Sequence, residues 1–504
     1  MLPPSALDRM PDAFVALWQG VEDEILKDIA RRIAKTGTLT ETAKWQLWRY
    51  QQTEALRSDV VKLLAKYSGK SESTIRRLLK EAANEAMERE DAIYYHYGLD
   101  PTPFEESAAL NNLLTAGARQ TCGTWQNLTA TTANTVTGAF ERTLDVAWGK
   151  VATGAFDYKT AVKQAVDSLA DDLPAVTYPS GHTDSLEVAA RRAVLTGVNQ
   201  TAGKLQEARM DEMNVEFVET SAHGGARPSH AEWQGRRFHR GGAVDYLGKH
   251  YPDFEQATGY GTGAGLCGWN CRHTFFAVFP ELGDPPTWTE ESLQELNARN
   301  IEYNGKLYTQ YEVNQMQRAR ERNVRKWKKR YLAESAAGSD TTDSAVRLRA
   351  ARQSLNEFAK ATGGRVDSAR TSVPKFGRSE AGRASYTARK QERLDAVNKE
   401  LTALRESGKI KLTGVAVSPP AIPDVLNFEG HALEQMGKRQ ISLAQANEIA
   451  EHAVLAIRQR NGTQHSYYSD KGFIVIRQDG SIGTVGWLDD GGKQVVEVMK
   501  KHGF

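Results

Sequence analysis

Cysteine is scarce, with three in 504 residues. That excludes a disulfide framework and fits assembly in a reducing compartment. An excess of either charge is also missing: 65 Lys and Arg stand against 63 Asp and Glu, a net charge of +2. A histone-like or wholly nucleic-acid-coating protein is thereby excluded, while local basic patches remain open. No stretch approaches the ~20 apolar residues that cross a bilayer, so no membrane span is expected. Met1-Leu2-Pro3-Pro4 lacks the basic and apolar regions of a secretory signal. The chain is therefore expected to be made in a cytoplasm and held there until something else moves it. No internal repeat is present.

Hydrophobic residues make up 40% and charged residues 25%, the balance of a globular chain rather than a disordered one. The length predicts about three domains. Phe14, Leu17, Val21, Ile25 and Ile29 recur at three- and four-residue steps, as one helix face does. Residues 38–42 carry turn and cap residues. A second helical run passes through Trp45, Trp48, Leu56, Val60 and Leu63, and Ser71-Glu72-Ser73-Thr74 is placed to cap a third over 75–87. Asp100-Pro101-Thr102-Pro103 breaks the pattern. Residues 104–169 are helical again, 172–184 a loop, and 186–213 one long helix. Residues 215–220 alternate as a strand, and 272–279 form a second.

A basic helix covers 314–332. Residues 333–385, rich in Ala, Gly, Ser and Thr, read mostly as linker with one helix over 345–360. Beyond them come helices at 389–406, 430–438 and 443–458, then strands at 463–469, 472–477 and 482–488 with Asp479-Gly480 as a hairpin turn, and a closing helix over 494–501. The expected fold is multidomain. It has a mainly α N-terminal body (1–213), a small α+β central module (214–285) and a helical extension with the basic helix (286–332). After the linker comes a C-terminal α+β domain (386–504), helices followed by a small antiparallel sheet.

His223, His230, Cys267, Cys271 and His273 fall in the central module. Thiolate and imidazole are the usual zinc ligands, and a structural site needs four of them in a tetrahedron. Cys267-x3-Cys271-x-His273 is a half-site, with His223 and His230 as candidates for the rest. Structural zinc is the one cofactor suggested, and none is required. Two other readings stand beside it: buried cysteines as small hydrophobes among hydrogen-bonded core histidines, and a nucleophilic Cys271 with a histidine partner but no identified orienting acid. In Arg227-Pro228-Ser229-His230, Pro228 fixes one dihedral of a turn and Arg227 is free to bond an acid or a backbone carbonyl. Gly259, Gly261, Gly263 and Gly265 permit backbone conformations closed to other residues. They do not make a phosphate loop, because the Gly-Lys-Ser/Thr ending is missing.

The run Ser221-Ala222-His223-Gly224-Gly225-Ala226-Arg227-Pro228-Ser229-His230-Ala231-Glu232-Trp233-Gln234-Gly235 is followed by Thr258-Gly259-Tyr260-Gly261 and by Gly265-Leu266-Cys267-Gly268-Trp269-Asn270-Cys271-Arg272-His273. Together these resemble the phage minor capsid protein 2 family, related to the head-morphogenesis proteins named after the F protein of phage Mu. The resemblance covers roughly residues 10–335. It implies a virion protein present in few copies and assembled in the bacterial host cytoplasm. Its partners would be the portal and major capsid proteins, at the portal or inside the shell, and its role would lie in head assembly or genome delivery.

From Arg318 to Arg330 there are eight Lys or Arg and one acid, Glu321. Arg318, Arg322, Arg325, Lys326 and Lys329 are candidates for contact with packaged DNA through phosphates, which would be salt-sensitive and not sequence-specific. The alternative is a solvated helix, or one docked on an acidic partner.

The resemblance stops before the C-terminal domain. In His431-Ala432-Leu433-Glu434-Gln435-Met436-Gly437-Lys438-Arg439, a helix of ~100° per residue puts Leu433 and Met436 on one side and His431, Gln435 and Lys438 on the other, with Arg439 nearby. A histidine among cations suits metal-free RNA cleavage, which needs an acid or base near neutral pH and charge to hold the phosphate. The pattern resembles the barnase–EndoU–colicin–RelE-like toxin nucleases. That resemblance implies His431 as catalytic histidine, Arg439 as phosphate clamp with Lys438 beside it, His465 as a further site residue, and host RNA as substrate. The alternative is a purely structural protein whose last domain is a non-catalytic binding module.

Overall fold

The computed structural model describes residues 2–35, 42–153, 155–171, 173–422, 426–428 and 430–504. The turn expected at 38–42 lies outside these residues except for Thr42. The chain forms two compact units, Met1–Ala381 and Gly382–Phe504.

In the first unit the helix Leu186–Glu212 is the central element. It packs on the helices Asp12–Ala34, Thr42–His96 and Ala108–Ala130, and residues on every side of it are buried. Its seating on Ala108–Ala130 uses two glycine–threonine contacts. A Cβ on Gly117 would lie 2.3 Å from Thr201 Oγ1, and one on Gly197 would lie 2.3 Å from Thr121 Oγ1. Buried polar residues on the central helix find partners. Arg209 is ion-paired to Asp91 at 2.8 Å and Glu212 at 2.7 Å, and Gln206 Nε2 donates to the Phe275 carbonyl at 2.7 Å. Trp18 and Trp125 meet edge to face at 4.7 Å, a pair worth about 0.5–1.5 kcal/mol beyond its buried area.

Residues 42–96 form one helix, not two runs with a cap between them. Ser71 Oγ donates back to the Tyr67 carbonyl at 2.8 Å and Ser73 Oγ to Lys70 at 3.0 Å. The hydroxyls thus serve the preceding turn and cap nothing. Residues 333–385 are largely not a linker. The helix Thr342–Ala361 packs on the basic helix Gln310–Ala336 and buries Leu348, Leu355 and Phe358. Its Ala- and Ser-rich composition imitates a spacer, while a sparse apolar stripe does the packing.

A three-stranded antiparallel sheet, in the order Arg237–His239, Phe217–Thr220, Phe275–Ala277, frames the central module. Glu219, fully buried on the middle strand, is held by Arg237 Nε at 2.7 Å. Among the described residues no helix is long and apolar enough to cross a membrane.

The second unit has a five-stranded antiparallel sheet in chain order: Val415–Val417, Leu455–Gln459, Gln464–Tyr468, Gly472–Arg477 and Ile482–Trp487. Alternation along each strand sends side chains to two faces. Leu455, Ile457 and Tyr468 meet Leu394, Val397, Val495 and Met499 of two helices. Ala456, Tyr467, Ile474 and Val485 meet Ala432, Met436, Ala446 and Ile449 of two others. The sheet is therefore the middle of three layers.

Candidate functional site

His230, Cys271 and His273 converge in the interior of the central module, all three buried. Pro228 occupies the first turn of a short helix, Pro228–Ala231, that carries His230. Arg227 precedes it and donates to the Trp269 carbonyl at 3.0 Å. Asn199 of the central helix donates from Nδ2 to the carbonyls of Cys271 and His273, both at 3.0 Å, which fixes the segment leading into the strand Phe275–Ala277. The glycine run permits close backbone approach: a Cβ on Gly265 would fall 2.0 Å from the Gly259 carbonyl oxygen.

The donor atoms form a near-regular triangle. His230 Nδ1 and His273 Nδ1 are 3.4 Å apart, and each is 3.7 Å from Cys271 Sγ. Zinc bonds of about 2.0 Å to nitrogen and 2.3 Å to sulfur, at tetrahedral angles, require separations of about 3.3 Å and 3.5 Å. The tautomers follow from the surroundings. His230 Nε2 donates to the Ala264 carbonyl at 2.9 Å. Gln234 Oε1 accepts the His223 backbone N–H at 3.1 Å, so the 3.1 Å contact from His273 Nε2 to that same oxygen is also a donation. Both Nδ1 lone pairs therefore point into the triangle.

The Cys271 thiol can offer its proton to one of the two Nδ1 atoms, each 3.7 Å from Sγ. Burial pulls the His230 pKa down to about 4 and places His273 well below its usual value. Burial likewise pushes the Cys271 thiol up. Two facing nitrogens beside a sulfur could hold a metal ion, and their outer hydrogen bonds are of the kind that orient metal-bound histidines.

His223 and Cys267 stand beside this trio rather than in it. The His223 ring stacks on His273 at 4.4 Å and its Nδ1 is committed to the Gly224 carbonyl at 3.2 Å. Cys267 Sγ points to the His273 carbonyl at 3.8 Å. No carboxylate bonds either trio histidine among the described residues. Gln234, which has no metal-ligating or titratable group to mark it in the sequence, ties His223, His273 and Asn297 together.

The basic helix is docked, and most of its cations are matched. Arg325 pairs with Glu187 at 3.0 Å and Lys326 with Asp171 at 3.0 Å; Lys329 pairs with Glu22, and Arg330 with Asp167. Arg318 and Arg322 instead line a cavity of about 560 Å³, which His223, His230, Cys271 and His273 also border.

With this geometry in place, the family comparison is decisive. Residues 2–360 match the model described as phage minor capsid protein 2. The chain belongs to that family. Neither the curated proteins nor the solved structures include a match. The capsid match lies wholly inside the first unit of this phage minor capsid protein, and the second unit begins beyond it.

In that second unit His431 is exposed at the first turn of the helix His431–Arg439. Lys438 is paired with Glu434 at 2.5 Å. Arg439 is anchored on the last strand, donating to the Thr484 hydroxyl at 3.2 Å and to the Val485 carbonyl. His465 lies on the third strand, its pKa lowered by burial and by Arg458. None of the four shares a hydrogen bond or ion pair with another among the described residues.

Proposed function

We propose that this minor capsid protein serves the phage head as a structural component at the portal or shell interior, aiding assembly or genome delivery, and carries its C-terminal unit as a separately built passenger. The supporting observation is modular. The matched residues end within the first unit, while the second has its own sheet and two apolar clusters of its own. Deleting 382–504 from the phage gene is expected to leave full heads in normal number; loss of heads would overturn the passenger reading.

In the first unit we assign the trio His230, Cys271 and His273 to a zinc ion with three protein ligands, the fourth tetrahedral position being left to a ligand from outside the chain. The donor triangle and the committed Nε2 atoms support this. The ion would join the segments around 228–231 and 267–273 as a staple inside the module.

For the passenger we propose an RNase effector. The helix bearing His431 and Arg439 covers the sheet face from which Tyr467 projects, and His465, two residues earlier on that strand, shares the face by alternation. Expression of residues 382–504 in a bacterial host is expected to arrest growth and fragment RNA, and a folded His431→Ala form to do neither. Intact RNA from the soluble wild-type fragment would make the unit a binding module.

A further inference from the structure

The cavity beside the trio is lined by eight arginines and three carboxylates. Most of these cations are accounted for. Arg191 pairs with Asp12 at 2.6 Å, Arg192 with Asp184 at 3.0 Å and Arg325 with Glu187. Arg272 and Arg370 share Asp8, which stands behind the wall. The third lining carboxylate, Glu321, accepts from Gln317 Nε2 at 2.9 Å.

Three guanidiniums remain without a carboxylate. Arg227 has only the Trp269 carbonyl. Arg318 and Arg322 have no hydrogen bond or ion pair among the described residues. Burial, then Arg272 and Arg370, pull the Arg318 pKa down to about 10 against the weaker attraction of Asp8 and Glu321. The Arg272 Nε is buried without a hydrogen-bond partner. Arg227 and Arg318 are half-buried and Arg322 is exposed, so three like charges face one space, where a bound anion would offset their mutual repulsion.

We infer that this cavity is a phosphate-binding site in which Arg227, Arg318 and Arg322 hold the oxyanion and Arg272 supplies the buried rim. Planar guanidinium forks match phosphate oxygens in pairs, and three of them offer more donors than one carboxylate can accept. The volume lies in the range of small-ligand sites, so the phosphate enters on a narrow carrier: a free phosphorylated molecule, or the backbone of a single DNA strand. A duplex is too wide. The site needs neither the zinc assignment nor the passenger reading.

The test uses the full chain and calorimetric titration with inorganic pyrophosphate in chloride buffer. Binding is expected in wild type, weakened at least tenfold by Arg318→Gln and unchanged by Arg77→Gln, an exposed helix residue paired with Glu81. Without phosphate, Arg318→Gln is expected not to lower the Tm, because burial and the neighbouring Arg272 and Arg370 outweigh the attraction of Asp8 and Glu321 on the charge it removes. Should that variant fail to fold, Arg322→Gln, on an exposed side chain, takes its place. A short single-stranded oligonucleotide then separates the sources. Competition with pyrophosphate that is lost in the variant identifies a DNA backbone; pyrophosphate binding alone identifies a free phosphate compound. No binding at millimolar pyrophosphate, equal binding by wild type and variant, or binding of a glutamate-rich peptide in place of phosphate would each overturn the proposal.

Discussion

Replacing Gly197 by alanine tests how the central helix is seated. The new Cβ would lie 2.3 Å from Thr121 Oγ1, 2.7 Å from its Cγ2 and 3.0 Å from its Cβ. Every staggered rotamer of the threonine keeps at least one heavy atom in the two crowded positions and leaves Cβ in place, so the helices must move apart. Alanine gains about 1 kcal/mol over glycine in a helix interior. Overpacking a close core contact costs about 1–3 kcal/mol, and a clash that rotation cannot clear belongs at the upper end. A net loss of about 1–2 kcal/mol follows, read as a Tm lowered by a few degrees. Gly69→Ala is the matched control, since a Cβ there meets nothing within 4 Å and the helix gain stands alone. Adding Thr121→Ala to Gly197→Ala removes the two closest atoms and is expected to recover more than half the loss. If Gly197→Ala raises the Tm as Gly69→Ala does, the two helices are not in contact as described.

Purified protein is expected to contain one zinc per chain by elemental analysis, with chelation lowering the Tm; Cys271→Ser should lose both the metal and the chelator response, and metal-free wild type with an unchanged Tm would exclude the site. Gln234→Leu removes the acceptor of His273 Nε2 and is expected to weaken zinc binding about 10–100-fold while the three ligands remain; unchanged affinity would refute the orienting role. Asp23 gives a pH prediction. Burial raises its pKa from 3.8 to about 7 against the pull of Lys329. Between those values the folded state keeps a proton that the unfolded state has shed, so this group's contribution to stability falls as pH rises through the window. The Tm of Asp23→Asn minus that of wild type should therefore grow from pH 4 to pH 7.5, and parallel curves would refute the shift.

Local signals in the sequence carried well where one element is self-sufficient. The long helix near 186–212 and the last three strands follow from periodicity and from Asp479-Gly480. The strand Leu455–Gln459 was hidden, because it follows the helix Leu443–Glu451 through His452-Ala453-Val454 with no glycine or proline to mark the change. Val415–Val417 is too short to show alternation. At the site, residue chemistry made His230, Cys271 and His273 visible as candidates. Their separation from His223 and Cys267 depends on which nitrogen each neighbour occupies, and no spacing reports that. Whether the basic helix contacts DNA, is solvated or docks on acids stayed open in the sequence, because its partners Glu22, Asp167, Asp171 and Glu187 are distant along the chain.

Those distant partners bear on how the molecule is made. Glu22 meets Lys329, and Asp8 meets Arg370, 362 positions away. At bacterial synthesis rates of ~5–20 residues per second, the N-terminal acids wait roughly 15–60 s for their cations to leave the ribosome. During that interval Glu22 has no Lys329, and the surface that will receive the Gln310–Ala336 helix stands open. Closure of the first unit is therefore a late event, completed only when nearly all of its chain exists. A product cut short before residue 329 lacks the Glu22–Lys329 pair and leaves that receiving surface uncovered. The order of closure is set by topology rather than by any dedicated segment.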